Sequence, residues 1–564
     1  MNKLKNLILA DRLIQASCCF VGLILLISLP YQLMAQGKDW EGELDAVEIE
    51  IVKERQIILS QANRNYEKIP PRASEPIKPP ITYDFRAFNF QTPQINPQLR
   101  PLKLKTESPS KVYGSYVSAG FGNYTSPYLE AFINSGKAKN KLVGAHAYLN
   151  SSDKGPVDGK NSGGGLAGIS VYGQSFSDDF SVSGHAGFEN RSTHFYGYIP
   201  GTVVEAEAIK QSFNVFKLGA EVANARSSDF TFKLGGGFSY LADKFDARET
   251  EVDFDFASAY KIDADTRIKI DAGYYLISRK DVLIEAKPRH LFLVNPAYEF
   301  LVLDNLKIKA GLAAAFENDT LDSKNFHLYP DIRATYPISP SVNLIGSLTG
   351  GMEKVSLQSL SNENLWLAPN VGVFHTNKVF DLAFGIQSKL GNKVSLDAGL
   401  SMASLKNWYF YFNTDADQAK FNTVYDKGLT KRSNLFASLG YTQANAAKFL
   451  LRGDYFAYTT DEVDEAWHRP TYKVTLDASY NVYDKILLTT NLITQGGMKA
   501  LEPVTQKTIT LDAAFDLNAG AEYLFSESFS VFLRFNNITS NKYPVFLNYP
   551  VRGFQVLGGI TWSF

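Results

Sequence analysis

Residues 554–564 read FQVLGGITWSF, and the alternation along them decides the fold. Phe554, Val556, Gly558, Ile560, Trp562 and Phe564 fall on one side of an extended strand, and Gln555, Leu557, Gly559, Thr561 and Ser563 on the other. Successive strand residues point to opposite faces, so this run, ending on an aromatic, describes a strand with one face toward lipid.

The same period of two recurs upstream. In 508–524, Ile509, Leu511, Ala513, Phe515, Leu517, Ala519, Ala521 and Tyr523 alternate with Thr510, Asp512, Ala514, Asp516, Asn518, Gly520 and Glu522. A soluble sheet would have to bury those acids or expose the apolar series. Around 472–482, Tyr472, Val474, Leu476 and Ala478 alternate with Lys473, Thr475, Asp477 and Ser479. In 529–536 the pattern holds except at Phe532, which takes an inward position and needs something to pack against.

Taken one run to a strand, the chain from 112 to 564 holds about 22 strands, including 370–389, 485–499, 507–524, 528–540 and 550–564. The connections sort by parity. Even-to-odd ones such as SDD, LDN, LGNK and YDK are short, while odd-to-even ones include 151–164, 196–210, 356–369 and 461–468. Short periplasmic turns and longer extracellular loops are the asymmetry of outer-membrane barrels. The expected fold is therefore all-β, a transmembrane antiparallel β-barrel of about 22 strands, with a porin of 14 to 18 as the alternative count.

The amino end differs. Lys3, Lys5 and Arg12 precede the apolar run at 18–35, which reads as an export signal over 1–35. Both cysteines, Cys18 and Cys19, lie within it, so disulfide and thiol chemistry are not expected of the rest. Residues 36–111 form a proline-rich arm, periplasmic or luminal, with one short strand at Val47, Ile49 and Ile51. A barrel of this girth is too wide for its own wall side chains to fill, so something else must occupy the lumen, and the arm is one candidate.

Catalytic motifs are absent. The seven histidines are scattered without metal-ligand spacing, and the net charge of −1 offers no field for nucleic acid. No enzyme activity, metal or cofactor is expected. Candidate lumen-lining residues are Asp253, Asp255, Lys269, Asp271, Lys473, Asp477, Asp512, Asp516 and Arg534, read as a hydrated wall.

The closing stretch FNNITSNKYPVFLNYPVRGFQVLGGITWSF resembles the last hairpin of TonB-dependent outer-membrane receptors, through Asn536, Asn537, Ile538, Lys542, Tyr543, Tyr549, Pro550, Arg552, Gly553 and Phe564. The resemblance implies transport of a solute across the outer membrane, with ELDAVEIEIV at 43–52 in the place of the energy-coupling box. It departs from the family after Val52, where the proline-rich stretch to Val112 is too short for the globular plug. A plugless relative of the Bacteroidetes type is the reading, which leaves coupling to TonB open. Implied partners are outer-membrane lipid and lipopolysaccharide, the β-barrel assembly machinery, and a surface lipoprotein or periplasmic subunit. The alternative role is a structural barrel that binds partner proteins in an outer-membrane assembly or export complex.

Overall fold

The computed structural model describes residues 114–564, apart from 136–139, 226–227, 304, 322–323, 415 and 445. The expected signal at 1–35, the arm at 36–111 and its strand at Val47, Ile49 and Ile51 lie outside the described residues.

A single sheet of 22 strands makes up the barrel. They are β1 Tyr116–Gly122, β2 Ser126–Asn134, β3 Lys141–Ser152, β4 Gly164–Phe176, β5 Phe180–His194, β6 Lys210–Asn224, β7 Phe230–Asp243 and β8 Arg248–Lys261. There follow β9 Arg267–Lys280, β10 Lys287–Val302, β11 Leu306–Glu317, β12 Phe326–Ser339, β13 Val342–Glu353, β14 Thr376–Leu390 and β15 Val394–Asn413. The last seven are β16 Phe421–Gln443, β17 Ala447–Thr459, β18 Tyr472–Val482, β19 Ile486–Gly496, β20 Ala514–Leu524, β21 Phe529–Asn536 and β22 Gln555–Ser563.

Each strand pairs antiparallel with the next, and β22 returns to β1 in a register running from Tyr116↔Ser563 to Gly122↔Leu557. Closure removes both sheet edges, which a strand in lipid cannot leave unpaired. Outward positions are apolar and open, as at Phe121, Ile169, Phe254, Leu435 and Trp562. Even-to-odd connections are short turns, and the long ones gather at the opposite rim. The count of 22 stands, and the smaller porin does not.

Two sequence expectations need correction. The run 507–524 is not one strand: Thr508–Thr510 pairs with Lys499–Leu501 in a separate hairpin, and β20 begins only at Ala514. Leu511, expected on the lipid face, is instead buried against Met498, Ala500 and Leu547. Alternation alone cannot tell a membrane strand from a hairpin that continues its pattern beyond the rim. The run 370–389 begins as a strand only at Thr376, because 370–375 belongs to the preceding loop.

Phe532 finds its partners at the seam. Its ring lies where side chains on Gly559 of β22 and Gly120 of β1 would stand, and is 3% exposed. The Tyr128 ring of β2 meets it edge-on at 6.0 Å, and the Arg534 guanidinium covers it at 4.5 Å.

Candidate functional site

The connection from β13 to β14, residues 354–375, does not stand out in solvent. Ser356 caps a short helix, α1 Leu357–Glu363, its hydroxyl accepting the Ser359 amide at 3.1 Å. The first amides of a helix have no partner within it. Here those of Leu357 and Gln358 donate at 2.7 and 2.9 Å to the carboxylate of Glu249, an inward residue of β8. Lys354 pairs with Glu251 two positions further along the same face. At the other end of α1, Glu363 accepts Arg469 at 2.6 Å and the Tyr409 hydroxyl of β15 at 2.7 Å. Arg191 of β5 bonds Asn362. The helix is thus a crossbar tied to β5, β8 and β15, which lie on different parts of the wall.

The descending limb is held as firmly. Arg279 of β9 bonds the Val371 carbonyl and pairs with Asp281. Arg289 of β10 forks onto Asp319 at 2.7 and 3.0 Å and donates to the Val355 carbonyl at 3.1 Å. His375 completes this knot, its Nδ1 accepting the Val355 amide at 3.0 Å. Burial, and then the Arg289 charge, push the His375 imidazole down from 6.5 to about 3, so it stays neutral.

Around the crossbar lies an apolar core. Leu357, Leu360, Leu367 and Val371 pack with Tyr196 from the β5–β6 loop, Phe213 and Val215 of β6, Leu241 of β7, Tyr411, Phe421 and Tyr549. Tyr549 comes from the final loop, its ring 4.0 Å from Trp366 and 4.7 Å from Tyr196. His468 ties in a fourth loop, its Nδ1 donating to the Tyr411 carbonyl at 3.0 Å and its Nε2 accepting the Leu547 amide at 3.3 Å. Burial holds that imidazole down at about 4. Sequence reading placed 356–369 among the outward loops. The signal that was available is the inward series of β6, where Phe213 and Val215 replace polar residues near the rim. A luminal position that turns apolar has something packed on it.

The expected lumen residues fall into two groups that do not meet. On β8 and β9 are Asp253, Asp255, Lys269 and Asp271, with Lys269 paired to Glu299 at 2.6 Å. On β18 to β21 are Lys473; Asp477, which accepts from Asn491 at 2.6 Å; Asp516, which accepts the Tyr543 hydroxyl at 2.8 Å; and Arg534. Asp512 is exposed in the link before β20 rather than on a barrel strand.

The closing-hairpin residues shape the final loop. From the left-handed backbone after Asn536, at φ 46°, Asn537 donates its amide to the carbonyls of Asn541 and Arg552, each at 2.8 Å. The Pro550 carbonyl accepts Tyr196 at 3.3 Å, and Arg552 reaches Gln555 at 3.2 Å. Phe564 pairs its backbone with Ser115 across the seam. Among the described residues no three acids and histidines gather as metal ligands.

A lipid-facing belt, a closed 22-stranded sheet and short turns at one rim define the class: a multi-pass β-barrel of the outer membrane, with several of its long loops packed together around α1. Among solved structures, the same fold is found in the FrpB iron transporter from Neisseria meningitidis, with a TM-score of 0.62 and 10% identity over 81% of each chain. FpvAI, solved in complex with pyocin S2, gives 0.61 and 11% over 81% of this chain and 71% of that one. The ferric-catecholate import receptor Fiu from E. coli K12 gives 0.60 and 9% over 80% and 82%. No family model and no curated protein matches the sequence.

Proposed function

We propose that this chain transports a solute across the outer membrane through a lumen that its own loops hold shut, and that a partner protein takes part in opening it. The observation that carries the reading is the crossbar, tied at one end to Glu249 and at the other to Arg469 and Tyr409. A passive pore has no use for a plate that joins loops from several sides of the rim around one apolar core. A purely structural shell has no need to hold α1 on charged ties, at Glu249, Arg191 and Arg469, for which a bound molecule can compete. Neighbours of the same fold are named as an iron transporter and an import receptor, and FpvAI was solved with a protein bound, in keeping with a solute and a partner.

The test is conductance of the purified full chain in a planar bilayer. Wild type is expected to stay nearly closed, and Glu249→Ala and Glu363→Ala to give large openings. A steadily conducting wild type that both variants leave unchanged means a passive pore. Closed barrels in all three, each copurifying with a stoichiometric partner, mean the assembly-complex role instead.

A further inference from the structure

Beneath the crossbar, against the inner faces of β6 to β8, is a cavity of about 660 Å³. Glycine makes its floor. His185, Gly219, Gly237 and Asp253 stand in one luminal row across β5 to β8, and Glu221, Gly235 and Asp255 stand in the next. The flanking side chains lie down into the gap: the His185 ring covers Gly219, and the Asp253 carboxylate sits where a side chain on Gly237 would be. A Cβ on Gly235 would meet nothing nearer than 3.9 Å, so the trough is open there. Lys354, Gln358 and Asn362 roof it.

Its charges are only partly spent within the wall. Glu221 pairs with Lys233 at 2.5 Å, and Glu251 with Lys354. Lys217 on the β6 side and Asp253 and Asp255 on the β8 side have no ion-pair partner among the described residues, although Asp255 accepts the Tyr275 hydroxyl at 2.8 Å. Charges of both signs thus face a common space across two strand spacings, roughly 10 Å at the backbone. An extended chain of two or three residues covers about 7–10 Å, and its two ends carry the complementary charges.

We propose that this trough binds a short zwitterionic peptide, with its carboxylate on Lys217, its ammonium between Asp253 and Asp255, and its amides against Gln358 and Asn362 of the crossbar. The assignment rests on the transport reading for how a solute comes to the lumen, and deepens it: the ligand touches wall and crossbar together.

Titration calorimetry of the full chain in detergent micelles tests it, with trialanine as probe. Trialanine is expected to bind, and its N-acetyl and C-amide forms to bind at least tenfold more weakly. Lys217→Gln and Asp253→Asn are each expected to cost at least tenfold. Gly235→Leu, which fills the trough, abolishes the heat while the barrel still migrates as a folded band in unheated gels. Equal binding of the blocked forms, equal binding of glucose, or no heat from trialanine with a folded wild-type barrel overturns the assignment. A closed barrel that opens in the crossbar variants yet ignores trialanine defeats this inference alone. Conductance indifferent to the crossbar, with trialanine bound, defeats only the transport reading.

Discussion

Glu249 sits on the inward face of β8, 3% exposed, and its two oxygens take the amides of Leu357 and Gln358. Its removal leaves two buried donors without partners, at a cost on the order of 3 kcal/mol. Glu249→Ala is therefore expected to speed hydrogen exchange at 357–363 by at least tenfold, with Glu249→Gln in between. His468 gives the mouth a pH dependence. Its folded value near 4 lies below the ordinary 6.5, so a released loop binds a proton that the packed mouth refuses. Stability of the mouth is full above about 6.5 and falls as pH drops toward 4, by on the order of 2–3 kcal/mol. Exchange protection of residues 540–550 should fall between pH 7 and 5, and His468→Gln should flatten that fall. Neither role is visible in the sequence, where Glu249 is one acid in an alternating strand and His468 one of several scattered histidines.

Elements were more legible than their ends. The inward and outward phases of β18, β21 and β22 follow from alternation, since one face must meet lipid and the other water. The exception at Phe532 marks the seam where β1 meets β22. Its ring bridges that seam over two glycines, so Phe532→Ala is expected to cost on the order of 3 kcal/mol. Gly559→Val, which puts a side chain where the ring lies, should cost at least as much. The temperature at which the folded band disappears in detergent gels reads both. An unchanged temperature in both variants would mean that the ring is packing filler and not a tie across the seam. The hairpin from Lys499 to Thr510 was not legible, because a rim hairpin keeps the alternation of the strand it precedes.

For the whole molecule, the two faces of one strand make opposite demands. Phe384 on β14 is half exposed and paired with Leu400 on the lipid side, while Ala383 faces inward opposite Ser347 and Ser401. Phe384 lies midway along β14, so Phe384→Arg is expected to destabilise the barrel by about 2–4 kcal/mol. Ala383→Arg, on the luminal side, should leave folding intact within about 1 kcal/mol. Urea titration of barrels in lipid vesicles compares them.

From composition and period alone, the chain was bound to be a closed barrel, because short strands with one apolar face and unpaired edges are stable in lipid only when the sheet meets itself. Phase and the rim that carries the long loops follow from local rules, and so does a strand number of about 22, which closure of the sheet makes definite. Where those loops go does not. The crossbar depends on Glu249, Arg191 and Arg469, which are far apart in the chain and meet α1 only because the sheet curves round to bring them there. Likewise the trough exists because glycines on neighbouring strands fall into one register. Side-chain period is a property of one strand, but an enclosed space is a property of several, and only the tertiary structure sets it.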